Sequence, residues 1–201
     1  MMIEVNNILD IENYLLDIKG VVFDLDDTLY SEREYVYSGF KEIAKEFSNR
    51  KDIEELLINS FNHGEKPLDM HFKQEDKIKA LEIYRNHTPS IHLYEGVREM
   101  LLRIKNEKKL GLITDGRPEG QRAKITALGI DKIISNIIIT DELGGIDFRK
   151  PNEVAFILMK ETMALEYDEM VYIGDNLKKD FVAPGKLGMK YIYFNNKDGL
   201  Y

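Results

Sequence analysis

The chain has 201 residues, 43% of them hydrophobic, which suffices for one sizeable core and a small second module but not a second full domain. Acids outnumber bases 36 to 28, a formal net charge of −8, which argues against a nucleic-acid backbone or an anionic membrane as the main partner. There is no cysteine, so disulfides, zinc–thiolate sites and thiol nucleophiles are excluded.

Residues 1–20 carry four acids and one lysine, with no apolar run long enough for a signal peptide or a membrane span, so a cytoplasmic protein is expected. A first strand follows at 19–25. From 31 to 90 the strand signal disappears and only helical spacing remains, at 34–47, 53–61 and 74–84. Beyond it, predicted helices at 96–107, 119–127, 152–166 and 178–186 alternate with predicted strands at 110–114, 133–140, 170–174 and 190–194. Gly129 and Gly188 sit where helix C-termini favour glycine. Four of the five strand candidates are nearly continuous apolar runs, as expected for strands covered on both faces. The alternation therefore predicts an α/β fold, a doubly wound parallel sheet built from residues 1–30 and 91–201, with a small helical cap inserted at 31–90.

The unusual polar residues fall where predicted strands end, the edge at which open α/β sheets bind ligands. The first strand runs into Asp24-Leu25-Asp26-Asp27-Thr28, and the second ends in Thr114-Asp115-Gly116. Lys150 precedes Pro151 in the loop after the third, and the fourth ends in Gly174-Asp175, with Asp180 a turn further on. Alternate strand residues share a side, so the Asp24 and Asp26 carboxylates can face one site, where their pKa values are pushed apart: one attacks while the other donates a proton. Several acids with no cysteine and no histidine cluster favour Mg²⁺ over zinc. The hydroxyl of Thr114 and the amides of Asp115 and Gly116 suit an anion. Lys150 is placed to neutralise transition-state charge. Arg117, next to Gly116, is a candidate contact to a second anionic group of the substrate.

In their order, the runs Asp24-Leu25-Asp26-Asp27-Thr28-Leu29, Thr114 after its apolar strand, Arg149-Lys150-Pro151, and Gly174-Asp175 with Asp180 resemble the four motifs of the haloacid dehalogenase superfamily of phosphatases, across almost the whole chain. The resemblance implies a Rossmann-like core with the family's smaller, helical cap closing over the substrate. It implies Asp24 as nucleophile and metal ligand, and Asp26 as general acid and base whose backbone carbonyl also touches the metal. Thr114 and Lys150 would bind the phosphoryl group and Asp175 would ligate Mg²⁺. Asp180 would act indirectly, through water or by holding a neighbouring side chain.

The expected function is thus Mg²⁺-dependent hydrolysis of a small-molecule phosphate monoester through an aspartyl-phosphate on Asp24. Asp26 argues against dehalogenation, which needs no acid at that position. A phosphoryl-transferring mutase and a non-catalytic binding or regulatory module of the same fold are the alternatives. The sequence leans to a monomer and names no substrate: the cap aromatics Tyr35, Tyr37, Phe40, Phe61, Phe72 and Tyr84 have the spacing of core packing.

Overall fold

The computed structural model describes residues 2–200. In chain order the strands and α-helices are β1 (Ile3–Val5), β2 (Gly20–Phe23), α1 (Glu32–Glu46), α2 (Ile53–Asn62), α3 (Pro67–His71), α4 (Gln74–Asn86) and α5 (Val97–Lys105). They continue as β3 (Lys109–Thr114), α6 (Pro118–Leu128), β4 (Asn136–Ile139), α7 (Val154–Met163), β5 (Met170–Gly174), α8 (Val182–Leu187) and β6 (Lys190–Phe194). By internal contacts the chain divides into two units, one running to Glu32 and resuming at His92, the other spanning Arg33–Ile91.

The first unit carries a six-stranded sheet of order β1-β6-β5-β2-β3-β4 in which every pairing is parallel. Val22, Ile113 and Tyr172 pack with Phe156, Met159 and Met163 of α7 and with Met189. Side chains alternate across a strand, so Val21, Phe23, Leu112 and Ile173 lie on the opposite face, and they are buried too. Both faces are therefore covered, the doubly wound arrangement. Gly111 lets α7 pack closely on β3: a Cβ there would sit 2.6 Å from the Met163 methyl, which would have to shift.

From β2 the chain builds outward through β3 and β4, then returns to the other side of β2 with β5 and β6. The crevice beyond the carboxyl ends of β2 and β5 is the switch point where such sheets place a site. Gly129 and Gly188 do cap α6 and α8, with φ of 67° and 76°.

Several expectations are corrected. Strand β1, paired in register with β6, and the 3-10 helix Ile8–Tyr14 occupy an N-terminal stretch in which no element was expected. The first strand ends at Phe23 rather than residue 25, and α8 begins at Val182 rather than 178. In the helical unit, α3 is additional, and it starts with proline at its first position, where the missing N–H costs nothing. That unit has its own core of Val36, Phe40, Ile43, Ile53, Leu57, Phe72 and Ala80, against which Tyr37, Phe61 and Tyr84 pack. Among the described residues no helix is long and apolar enough to cross a membrane.

Candidate active site

Three parallel strands end side by side and deliver the site. Asp24 directly follows β2 and its N–H still donates to Ile173 of β5 (2.8 Å), so the ladder itself fixes where the Asp24 side chain emerges. Thr114 is the last residue of β3, and Asp175 follows Gly174 at the end of β5. Asp24, Thr114, Lys150, Asp175 and Asp180 are all buried.

Among the described residues the group of three or more possible metal ligands is Asp24, Asp175 and Asp180, with carboxylate oxygens all within 4.8 Å of one another. Burial together with the Asp24, Asp180 and Asp27 carboxylates pushes Asp175 up to about 8. Burial likewise pushes Asp24 up to about 7, against the opposing pull of Lys150. Asp180 places Oδ1 2.8 Å from Lys150 Nζ in an ion pair, yet that oxygen has no aligned hydrogen bond. Three buried carboxylates facing one another, one with an oxygen left unsatisfied, form a hard-oxygen donor set that fits a divalent cation such as Mg²⁺.

Lys150 is the counter-charge already in place. Its ammonium pairs with Asp24 and Asp180 and donates to the Tyr172 hydroxyl (2.9 Å). Burial pushes its pKa down, but Asp180 and Asp24 outweigh this and hold it well above the usual lysine range. The loop that carries it follows the bidentate Arg149–Asp141 pair (2.7 Å for each hydrogen bond) and contains the cis Lys150–Pro151 peptide. Asp115 adds to this loop: its carboxylate accepts from the Lys150 N–H (3.1 Å) and the Thr140 hydroxyl (2.9 Å), and lies 3.5 Å from Lys179 Nζ. Its side chain thus braces the loop that holds Lys150, an arrangement the sequence did not suggest.

Asp26 faces a different set of partners. Oδ1 accepts from the Tyr30 hydroxyl and from Lys124 Nζ (2.7 Å), and Oδ2 accepts from Gln121 Nε2 (2.9 Å). Burial raises the Asp26 pKa, but Lys124, Tyr30 and Gln121 more than offset it, and the net shift is downward. Without a cation, then, Asp24 is the more readily protonated of the two, whereas the roles that the resemblance implies put the proton on Asp26. Burial raises both, but at Asp24 the pull of Lys150 is opposed by the Asp180 carboxylate, whereas at Asp26 a lysine and two further hydrogen-bond donors act together. A cation among Asp24, Asp175 and Asp180 favours the ionised form of Asp24.

Gln121 also donates to Thr114 Oγ1, which leaves the threonine's own hydroxyl hydrogen free to donate elsewhere. Gly116 takes a φ of 136°, open to glycine, and a Cβ there would press on Gln121 at 3.3 Å. Arg117 is half-buried at the N-cap position of α6. Thr28 donates to Asp175 Oδ1 (3.3 Å). Glu32, unremarked in the sequence, is pushed up to about 7 by burial and by the Asp26 carboxylate.

The chain belongs to the haloacid dehalogenase-like hydrolase family, which it matches over residues 21–194. A glyceraldehyde 3-phosphate phosphatase of Methanocaldococcus jannaschii is 34% identical over 188 residues, covering 82% of this chain and 79% of that protein. A second, from Pyrococcus abyssi, is 29% identical, covering 80% of this chain but 65% of the relative's length. A human N-acylneuraminate-9-phosphatase is 27% identical over 54% of this chain and 42% of its own. Among solved structures, a putative HAD-hydrolase of Bacillus subtilis bound to magnesium superposes with a TM-score of 0.66 at 17% identity, covering 89% of this chain and 87% of that one. That last likeness bears on the fold.

Proposed function

We propose that this chain is a Mg²⁺-dependent phosphatase that hydrolyses a small phosphate monoester through an aspartyl-phosphate on Asp24. The observation that carries the reading is the buried Asp24 carboxylate, held between Lys150 and the Asp175–Asp180 acids at the ends of adjacent strands, with Thr114 on the next strand. The names of the relatives support it.

The first step starts from the form in which Asp26 is protonated, a form that the negative charge of a bound phosphate favours. A carboxylate oxygen of Asp24 bonds to phosphorus, the P–O bond to the leaving alcohol breaks, and Asp26 gives that oxygen its proton. In the second, Asp26 takes a proton from water, whose oxygen bonds to phosphorus as the Asp24–phosphorus bond breaks, returning both side chains to their starting states. Lys150 and the Thr114 hydroxyl hold the phosphoryl oxygens. Mg²⁺, held by Asp24, Asp175 and the Asp26 carbonyl with Asp180 acting from beside them, would supply the positive charge that lets a phosphate dianion approach a carboxylate. The helical unit of residues 33–91 would choose the substrate, with Arg117 offering a contact to a second anionic group.

The test is phosphate release from p-nitrophenyl phosphate and a panel headed by glyceraldehyde 3-phosphate and N-acylneuraminate 9-phosphate, with Mg²⁺ or chelator. Asp24→Asn should lower turnover on the order of 10³-fold or more while leaving the fold intact. No metal-dependent release from any ester by the folded wild type would sink the reading.

A further inference from the structure

We propose that Lys124 and Gln121 are positioning residues that clamp the Asp26 carboxylate at the point where it exchanges protons with the leaving group and with water; this rests on the phosphatase reading. The two lie three residues apart on α6 and therefore share a helix face, and that face is turned to the site: both are buried. Lys124 Nζ is 2.7 Å from Asp26 Oδ1, with side-chain exposures of 7% and 18%. Gln121 Nε2 takes the other oxygen at 2.9 Å and also reaches Thr114 Oγ1, so one amide joins the proton-transfer group to the proposed phosphate-binding hydroxyl. The Tyr30 hydroxyl supplies a third donor, from the chain segment that follows Asp26.

This is more restraint than stability calls for. Burying an ion pair gains little net stability over an apolar pair of the same shape, whereas fixing a carboxylate by donors on both oxygens defines its plane and reach. Asp26 lies beyond the end of β2, in a turn whose backbone is held by a bridge between Asp26 and Tyr30, so what its side-chain donors fix is the plane and reach of the carboxylate. Proton transfer requires that carboxylate to be kept within a hydrogen bond of the reacting oxygen.

The clamp makes a prediction that a merely structural lysine does not, because esters differ in their need for an acid. An alkyl phosphate must have its leaving oxygen protonated; p-nitrophenolate leaves unaided. Lys124→Met should lower kcat for glycerol 3-phosphate by about 10²-fold with KM within about 3-fold, while the pre-steady-state burst of p-nitrophenolate keeps its rate within about 3-fold. Lys124→Arg, which keeps a donor at that place, should recover most of the alkyl-ester turnover. Equal losses on both esters, or none, would overturn the proposal. Should Lys124→Met not fold, Gln121→Leu removes the Oδ2 donor and carries the same comparison. Crystal structures of the metal-free wild type and variant decide the matter independently of turnover. A displaced Asp26 carboxylate in the variant supports the clamp, and an unmoved one refutes it. A wild type inactive on every ester would therefore count against the phosphatase reading alone.

Discussion

Asp175 titrates near 8 in the folded chain because burial and three neighbouring carboxylates disfavour its charge, whereas an unfolded aspartate titrates near ~3.9. Between those values the folded state holds a proton that the unfolded state has released, so this residue's contribution to metal-free stability falls as pH rises from about 4 to about 8. Asp175→Asn should accordingly raise the melting temperature of chelator-treated protein at pH 8.5 and change it little at pH 4.5. Each kcal/mol relieved corresponds to about 2–4 °C in a chain of this size. Added Mg²⁺ should raise the wild-type melting temperature at pH 8.5 and lose most of that effect in the variant. Equal shifts at both pH values, read by thermal denaturation, would refute the account. The gathering of Asp24, Thr114, Lys150 and Asp175 was legible in the sequence because each stands at or beyond the end of a strand, and parallel strands share a carboxyl edge. Gln121 and Lys124 were not, because they sit within a helix where polar residues at such spacing normally face water. Only the packing of α6 turns them inward. Sequence left open which of Asp24 and Asp26 more readily holds a proton for a related reason: it shows which acids are near in the chain, not which donors each one meets.

The end of β5 shows what one element demands of the next. A Cβ on Gly174 would stand 2.5 Å from Asp180 Oδ2, closer than real Cβ atoms approach. That same oxygen accepts from the Asn176 N–H (2.9 Å), while Asn176 Oδ1 accepts from the Lys178 N–H (3.0 Å). These side-chain bonds take the N–H groups of Asn176 and Lys178, while those of Lys179 and Asp180 donate to the Asn176 carbonyl, and together they hold the segment as turns, so α8 starts four residues later than its spacing predicts. Gly174→Ala should push the Asp180 carboxylate away from Lys150 and the other two acids. We expect a loss on the order of 10²-fold in kcat/KM for phosphate release, from misplacement by about 1 Å, and a destabilisation of about 1–3 kcal/mol. Wild-type kinetics in Gly174→Ala would show that this close approach has no functional weight. The long central strands were legible for the opposite reason. Their apolar runs are continuous and bounded by turn residues, whereas β1 offers only three residues and the 3-10 helix after it no sustained period.

At the scale of the molecule, among the described residues one buried apolar cluster lies across the sheet and α7 and another among the inserted helices. The strand signal breaks off after residue 30, and the helices within Arg33–Ile91 fall in one contact unit, as helices without intervening strands bury against one another. Its internal packing was less readable: α3 covers one turn and a half, too short for a helical period to register. Leu57, fully buried in the helical core, tests whether that core carries its own stability. Leu57→Ala removes three side-chain carbons and leaves a cavity, at a cost of about 2–5 kcal/mol. If the helices draw their stability from this core, the loss appears as local opening. Amide exchange across α1, α2 and α4 should then quicken by about 30-fold or more, while β2, β3 and β5 keep their protection. Exchange that quickens equally in the strands would mean that the two cores unfold as one cooperative structure, and residue-resolved hydrogen exchange distinguishes the cases directly.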